Sequence, residues 1–146
     1  MTATESARSH HRGLGLAAWL LLLPLLAGHV HAQAARDAPT LKLLVPSELH
    51  VGEHARFLIE VSLPPGAGQP LLLTPFREGK ALEVVKGRLL RSDARDAQAS
   101  PLQFELPVLA RAPGSALIGV RLLAYLCEPG CRAVEVEARA NVMVLP

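Results

Sequence analysis

Hydrophobic and polar positions alternate along most of the chain after residue 40, and the dominant period is two. In His54 to Ser62, Phe57, Ile59 and Val61 share one face while Arg56, Glu60 and Ser62 share the other, the pattern of a half-buried strand. Leu102, Phe104 and Leu106 alternate with Gln103 and Glu105 in the same way. The longest run of this kind is Arg121 to Val144, where two alternating stretches meet at Glu128-Pro129-Gly130. Shorter apolar stretches complete the set. Leu41 to Val45 stops at Pro46, and Leu71-Leu72-Leu73 is ended by Thr74-Pro75, with Phe76 to Lys80 a polar connection. Ala81 to Val85 and Arg88 to Arg91 flank Lys86-Gly87, which reads as a hairpin turn or a bulge.

Turn signals punctuate these runs. Ser47 to Gly52, Pro64 to Gly68 and Ala112 to Ser115 read as turns, and Asp93 to Ser100 as a polar loop without an apolar stripe. Twelve prolines and eleven glycines spread over the chain argue for many short strands rather than a helical bundle. Turns recur every eight to twelve residues or so, and about seven strands result. That spacing predicts an all-β fold, an immunoglobulin-like antiparallel β-sandwich, with a small closed barrel as its competitor. Half of the chain is hydrophobic but only 3% is aromatic, so Leu, Val and Ala must fill the core.

The first 32 residues break the pattern. Arg8, His10, His11 and Arg12 form a basic start, Gly13 to Ala27 is apolar, and Val30-His31-Ala32 offers a small-x-small cleavage pattern. This reads as a secretory signal peptide over 1–32, followed by a loose lead-in over 33–40 and one sandwich domain over 41–146. A retained anchor is the rival, but Pro24 interrupts the run and His29 ends it, short of the ~18 apolar residues a span requires. The expectation is therefore an exported protein, periplasmic or extracellular, with no stable membrane anchor after signal cleavage. A net charge of +2 with interspersed signs gives no footprint for nucleic acid.

The two cysteines, Cys127 and Cys131, flank the turn of the last hairpin. Ile118, Val120, Leu122, Ala124 and Leu126 make the apolar face of its first strand; Val134, Val136, Ala138, Ala140, Val142 and Val144 make that of its second. Both cysteines have the opposite parity, so both sulfurs are predicted on the outer face, beside Tyr125. Pro129-Gly130 fits the centre of a type II turn and brings the two positions to face each other as a disulfide. Average cross-strand Cβ separations of about 4.5–5.5 Å exceed the ~3.5–4.5 Å of a relaxed disulfide, which predicts some strain and a more easily reduced bond. A domain of this length buries enough surface to fold without the link. The pair is open to two readings, redox-active or purely structural.

Other chemistry is thin. His50 and His54, combined with the cysteines, raise a zinc or copper(I) reading. Their place in a turn between two early strands makes two exposed turn histidines the alternative. No nucleophile elbow and no phosphate-binding glycine loop is present, and no cofactor is implied.

Tyr125-Leu126-Cys127, Cys131 and Val134-Glu135-Val136, with the strand order, resemble the N-terminal immunoglobulin-like domain of periplasmic thiol:disulfide interchange reductases. The resemblance covers about the last third of the domain. It implies a cysteine pair that cycles between disulfide and dithiol with another exported protein, of thioredoxin-like thiol type, as partner. Tyr125 would be auxiliary. Three residues separate the cysteines here, a shorter spacing than in that family, and a free-standing version would need a separate electron donor. The family also implies a loop capping the pair, for which Leu73 to Lys80 is the candidate. The alternative function is a non-enzymatic envelope binding or accessory module with a structural hairpin disulfide.

Overall fold

Alternation at period two produces nine strands in a computed structural model that describes residues 38–127 and 130–146. In order they are β1 (Thr40–Leu44), β2 (Glu48–His50), β3 (His54–Ser62), β4 (Ala67–Glu78), β5 (Leu82–Val84), β6 (Leu89–Leu90), β7 (Leu102–Ala110), β8 (Gly114–Leu126) and β9 (Arg132–Leu145). One 3-10 turn, Arg91–Asp93, precedes β7. The strands form two sheets, β1-β3-β7-β5 and β2-β9-β8-β4-β6. The first matches the A-B-E-D sheet of an immunoglobulin sandwich and the second its G-F-C sheet, flanked by short A′- and C′-like strands. The all-β, immunoglobulin-like sandwich expected from the sequence is what the chain forms.

The inward faces interdigitate as the alternation requires. Phe57, Ile59 and Val61 of β3 meet Leu102, Phe104, Leu106 and Val108 of β7 in one layer, all at most 2% exposed. Leu71 and Leu73 of β4, Ile118, Val120, Leu122 and Ala124 of β8, and Val142 and Val144 of β9 supply the other. Among the described residues no polar or charged side chain is buried. Burial alone therefore specifies the packing, with two phenylalanines as the largest fillers.

Several local expectations change. Thr74-Pro75 does not end a strand: β4 continues to Glu78, pairing Thr74 with Arg121 and Pro75 with Val120. A strand carries proline where the lost N–H faces an unpaired edge, and β6 covers β4 only at Leu72 and Leu73. Ala81–Val85 and Arg88–Arg91 are not two arms of a hairpin about Lys86-Gly87. Instead β5 pairs with β7 in one sheet and β6 with β4 in the other, so this segment crosses between layers. The Ser47–Gly52 turn contains β2, which pairs in parallel with Met143–Leu145 of β9. The sheet is thus antiparallel except at this edge, and the strand count is nine rather than seven.

The proposed signal segment, and the Glu128-Pro129 half of the type II turn, lie outside the described residues. Among the described residues no helix is long and apolar enough to cross a membrane.

Candidate functional site: the disulfide hairpin

β8 and β9 pair without a register break from Gly114↔Val144 to Leu126↔Arg132. One step further sets Cys127 opposite Cys131, and the two are joined by a disulfide with a Cα–Cα distance of 3.8 Å. The type of cross-strand position follows from the neighbouring hydrogen bonds. The Cys127 N–H donates across to Gly66 O on the β4 side, at 3.1 Å. On β9, the Met143 N–H donates to Ser47 O at 3.0 Å and Leu145 O accepts from the Val51 N–H at 2.9 Å, both on the β2 side. Odd-numbered residues of both strands therefore turn their backbone groups away from the β8–β9 seam. Cys127 and Cys131 occupy a non-hydrogen-bonded pair, where strands approach to about 4.5 Å rather than about 5.5 Å. Sequence parity gave the face; only this phase gives the narrow site that suits a disulfide.

Both sulfurs face outward, as parity predicted, but they are not equally accessible. Cys131 is exposed, whereas Cys127 is half-buried. The difference comes from the turn between β3 and β4. Gly66 holds the Cys127 backbone, and at Gly68 an added Cβ would stand 3.2 Å from Cys127 Sγ. The glycine thus makes the space in which that sulfur lies. Leu73–Lys80, expected as the cap, does not serve: Thr74–Glu78 runs along Leu117–Arg121, further down β8. The element beside the pair is Pro64–Gly68, read from sequence only as a loop. Gly66-Ala67-Gly68 carries a sequence signal for this, since it offers small residues where another group approaches closely.

Tyr125 lies on the same outer face, two positions before Cys127, opposite Gly68 on one side and Ala133 on the other. Small residues on both flanks leave space beside its half-buried side chain. Further along that face, Phe76 packs over Gly119, and the guanidinium carbons of Arg121 and Arg139 stand 6.0 and 5.5 Å from its ring centre. Glu137 bonds both arginines, with Arg121 Nη2 at 3.2 Å. The hydrogen bond from Arg139, with a smaller one from Arg121, holds the Glu137 carboxyl below the usual carboxylate range. The Pro64–Gly68 turn also borders an open cleft of about 220 Å³, lined among others by Val61, Leu63, Leu102, Arg91, Gln98 and Ser100.

The histidines are elsewhere. His50 pairs beside Leu145, the far end of β9 from Cys131, so some 13 strand residues, about 43 Å, separate it from the disulfide. Its backbone N–H bonds Glu53 at 2.9 Å and its Nδ1 lies 3.3 Å from Pro146 O. His54 opens β3 opposite Leu109. The joint metal site of His50, His54 and the cysteines is not assembled, and among the described residues no cluster of three or more His, Cys, Asp or Glu side chains has metal-binding geometry.

By sequence, no family model and no curated protein matches the chain. By structure, it is similar to α2-macroglobulin of Escherichia coli. One match is to its native conformation (TM-score 0.55, 18% identity), covering 74% of this chain and 7% of that one. A second is to a fragment from domain MG7 to the C-terminus (TM-score 0.52, 14% identity), covering 75% of this chain and 17% of that one. The chain thus spans a small part of the length of these relatives, and at such identities the likeness is one of fold.

Proposed function

We propose that this domain is an exported thiol–disulfide exchange module acting through Cys127 and Cys131. The observation that carries the reading is the unequal exposure of two bonded sulfurs on an outward-facing hairpin. A partner thiolate attacks the exposed Cys131 Sγ, the Cys127–Cys131 bond breaks, and Cys127 leaves as a thiolate in the space above Gly68. A second thiol of the partner then attacks the mixed disulfide and releases Cys131. The partner dithiol ends as a disulfide, and the two electrons and two protons it gives up end on Cys127 and Cys131. The reverse sequence passes them to an oxidised exported protein. Tyr125 shields one flank of the pair. The partner class that suits this chemistry is a thioredoxin-like thiol protein, as the resemblance to the interchange reductases implies.

Support also comes from what the link does not do for the fold. Among the described residues the core closes over 22 buried apolar side chains, and a five-residue loop gives a disulfide only about 2 kcal/mol of chain-entropy stabilisation. The second reading is a binding module with a static disulfide. It draws on the outer-face stripe of Leu72, Leu90 and Leu123, which register beside one another across β6, β4 and β8. Equilibration in glutathione buffers separates the two. A midpoint above about −300 mV supports exchange, and a lower one marks an inert link. A Cys127→Ser/Cys131→Ser variant that folds and keeps all biological activity also refutes exchange.

A further inference from the structure

Among the described residues every lysine and arginine is exposed except one, the half-buried Arg91. Five exposed arginines, Arg56, Arg95, Arg111, Arg121 and Arg139, each pair with a glutamate. Arg91 pairs with no carboxylate among the described residues. It opens the 3-10 turn after β6, and its Nε donates to Ala97 O at 3.1 Å. The acids nearest to it in sequence are engaged elsewhere. Asp93 accepts from the Leu90 N–H and from Lys86, each at 2.8 Å, and Asp96 accepts from the Gln98 N–H at 2.8 Å. The least solvated cation of the fold is therefore the one without a counter-charge. Taking a guanidinium partly out of water is unfavourable unless an opposite charge and further hydrogen bonds replace the lost solvent. One carbonyl does so here, and the Nη donors have no recorded partner among the described residues.

The same residue lines the open cleft of about 220 Å³ beside the Pro64–Gly68 turn, and no other charged residue lines it. Gln98 and Ser100 bring an amide and a hydroxyl to the cleft, while Val61, Leu63 and Leu102 bring hydrocarbon. The loop on this side is tied down by the Arg95 N–H to Gln103 O at 2.8 Å and by the bond from Arg91 to Ala97 O, so the cleft is formed before any ligand arrives. We propose that this cleft is a binding site for a small monocarboxylate. One positive charge calls for one negative charge. An arginine fork matches the two oxygens of a carboxylate through two parallel hydrogen bonds. The volume is that of about seven water molecules, which limits the ligand to a short acid or to the last residue of a peptide. Gln98 and Ser100 serve a polar group carried next to the carboxylate. The site involves no step at the disulfide and stands whether or not Cys127 and Cys131 exchange electrons.

NMR titration of the full-length protein at pH 7 tests this, with butyrate, N-acetylalanine, N-acetylalanine amide and inorganic phosphate as probes. Butyrate or N-acetylalanine shifts the amides of Gln98, Ser100 and Leu102 and the Arg91 Nε–H, and saturates with a dissociation constant of about 1 mM. The tighter of the two identifies the source as a free acid or a peptide C-terminus. The amide, which lacks the charge, does not bind. Arg91→Gln weakens binding by about tenfold or more, whereas Arg88→Gln, the same charge change at an exposed residue outside the cleft, leaves it unchanged. Arg91→Lys keeps the charge but loses the fork and weakens binding several-fold, which decides the matter if Arg91→Gln does not fold. The proposal is overturned if neither carboxylate saturates, if the amide binds equally well, or if phosphate binds more tightly than both carboxylates. It is equally overturned if Arg88→Gln weakens binding as much as Arg91→Gln, or if both Arg91 variants that fold bind like the parent.

Discussion

Replacing Gly119 by alanine reverses its sign according to what stands at position 76. Gly119 is buried on the outer face of β8, opposite Phe76 of β4. A Cβ there would stand 2.6 Å from Phe76 Cε1 and 2.7 Å from Cε2, and closer still to Cζ. The ring must leave, and with it the contacts to Arg121 and Arg139. Each such cation–π contact is worth about 0.5–1 kcal/mol at an exposed site, so about 1–2 kcal/mol is lost. Alanine in a strand recovers about 0.5–1 kcal/mol relative to glycine, leaving Gly119→Ala destabilising by about 1 kcal/mol. In a Phe76→Ala background there is no ring to displace, and the same change stabilises by about 0.5–1 kcal/mol. Urea denaturation of the four proteins of the cycle measures this, with a coupling energy of about 1–2 kcal/mol and melting shifts of about 4 °C in opposite directions. If Gly119→Ala has the same sign in both backgrounds, Phe76 is not held over the glycine and the account of this face is wrong.

Three further outcomes follow from the same geometry. Cys127→Ser/Cys131→Ser lowers stability by at most about 2 kcal/mol with a cooperative urea transition retained; a variant unfolded at 25 °C would show the link to be essential. Phe104→Ala, fully buried between the layers, costs about 3–5 kcal/mol in the same assay. Acid titration weakens the fold, because the lowered carboxyls favour the charged native state. Arg95, then Arg56, lower Glu105; Arg111 lowers Glu83; the Leu90 N–H, then Lys86, lower Asp93. Depressed carboxyls contribute stability that is present above their unfolded values and lost as pH falls through the native ones. The urea midpoint therefore falls with pH below the ordinary carboxylate range, and Arg95→Gln flattens that fall; an unchanged slope would show that the Arg95–Glu105 pair contributes nothing.

The sequence made the long alternating strands visible and hid the short and proline-bearing ones. β3, β7, β8 and β9 each carry a period of two over nine or more residues, legible despite outward leucines such as Leu58, Leu109 and Leu123 and the buried Gly119. The outward parity of Cys127, Cys131 and Tyr125 comes from that same signal. Local pattern ends β4 at Thr74-Pro75 because proline usually ends a strand, and whether its missing N–H matters depends on a neighbour that local pattern cannot name. β2 is three residues whose partner lies at Met143–Leu145, so nothing within its own window distinguishes it from a turn. The same limit applies to the element beside the disulfide: Gly66 and Gly68 meet Cys127 only through the β4–β8 pairing.

That parallel β2–β9 pairing sets the order in which the molecule can be finished. Glu48 waits for Met143, far along the sequence. Loop closure over such a distance is slow and comes late. β9 follows the other described strands in sequence, and until it is complete β8 has no neighbour on one side and the core lacks Val142 and Val144. A chain still emerging from its ribosome holds the β3–β7 sheet partner-ready while its second sheet is open. Docking of β9 is therefore the step that converts a half-built layer into a closed one, and deletion of Val142–Leu145, which removes two core valines and the partner of β2, acts as a folding defect.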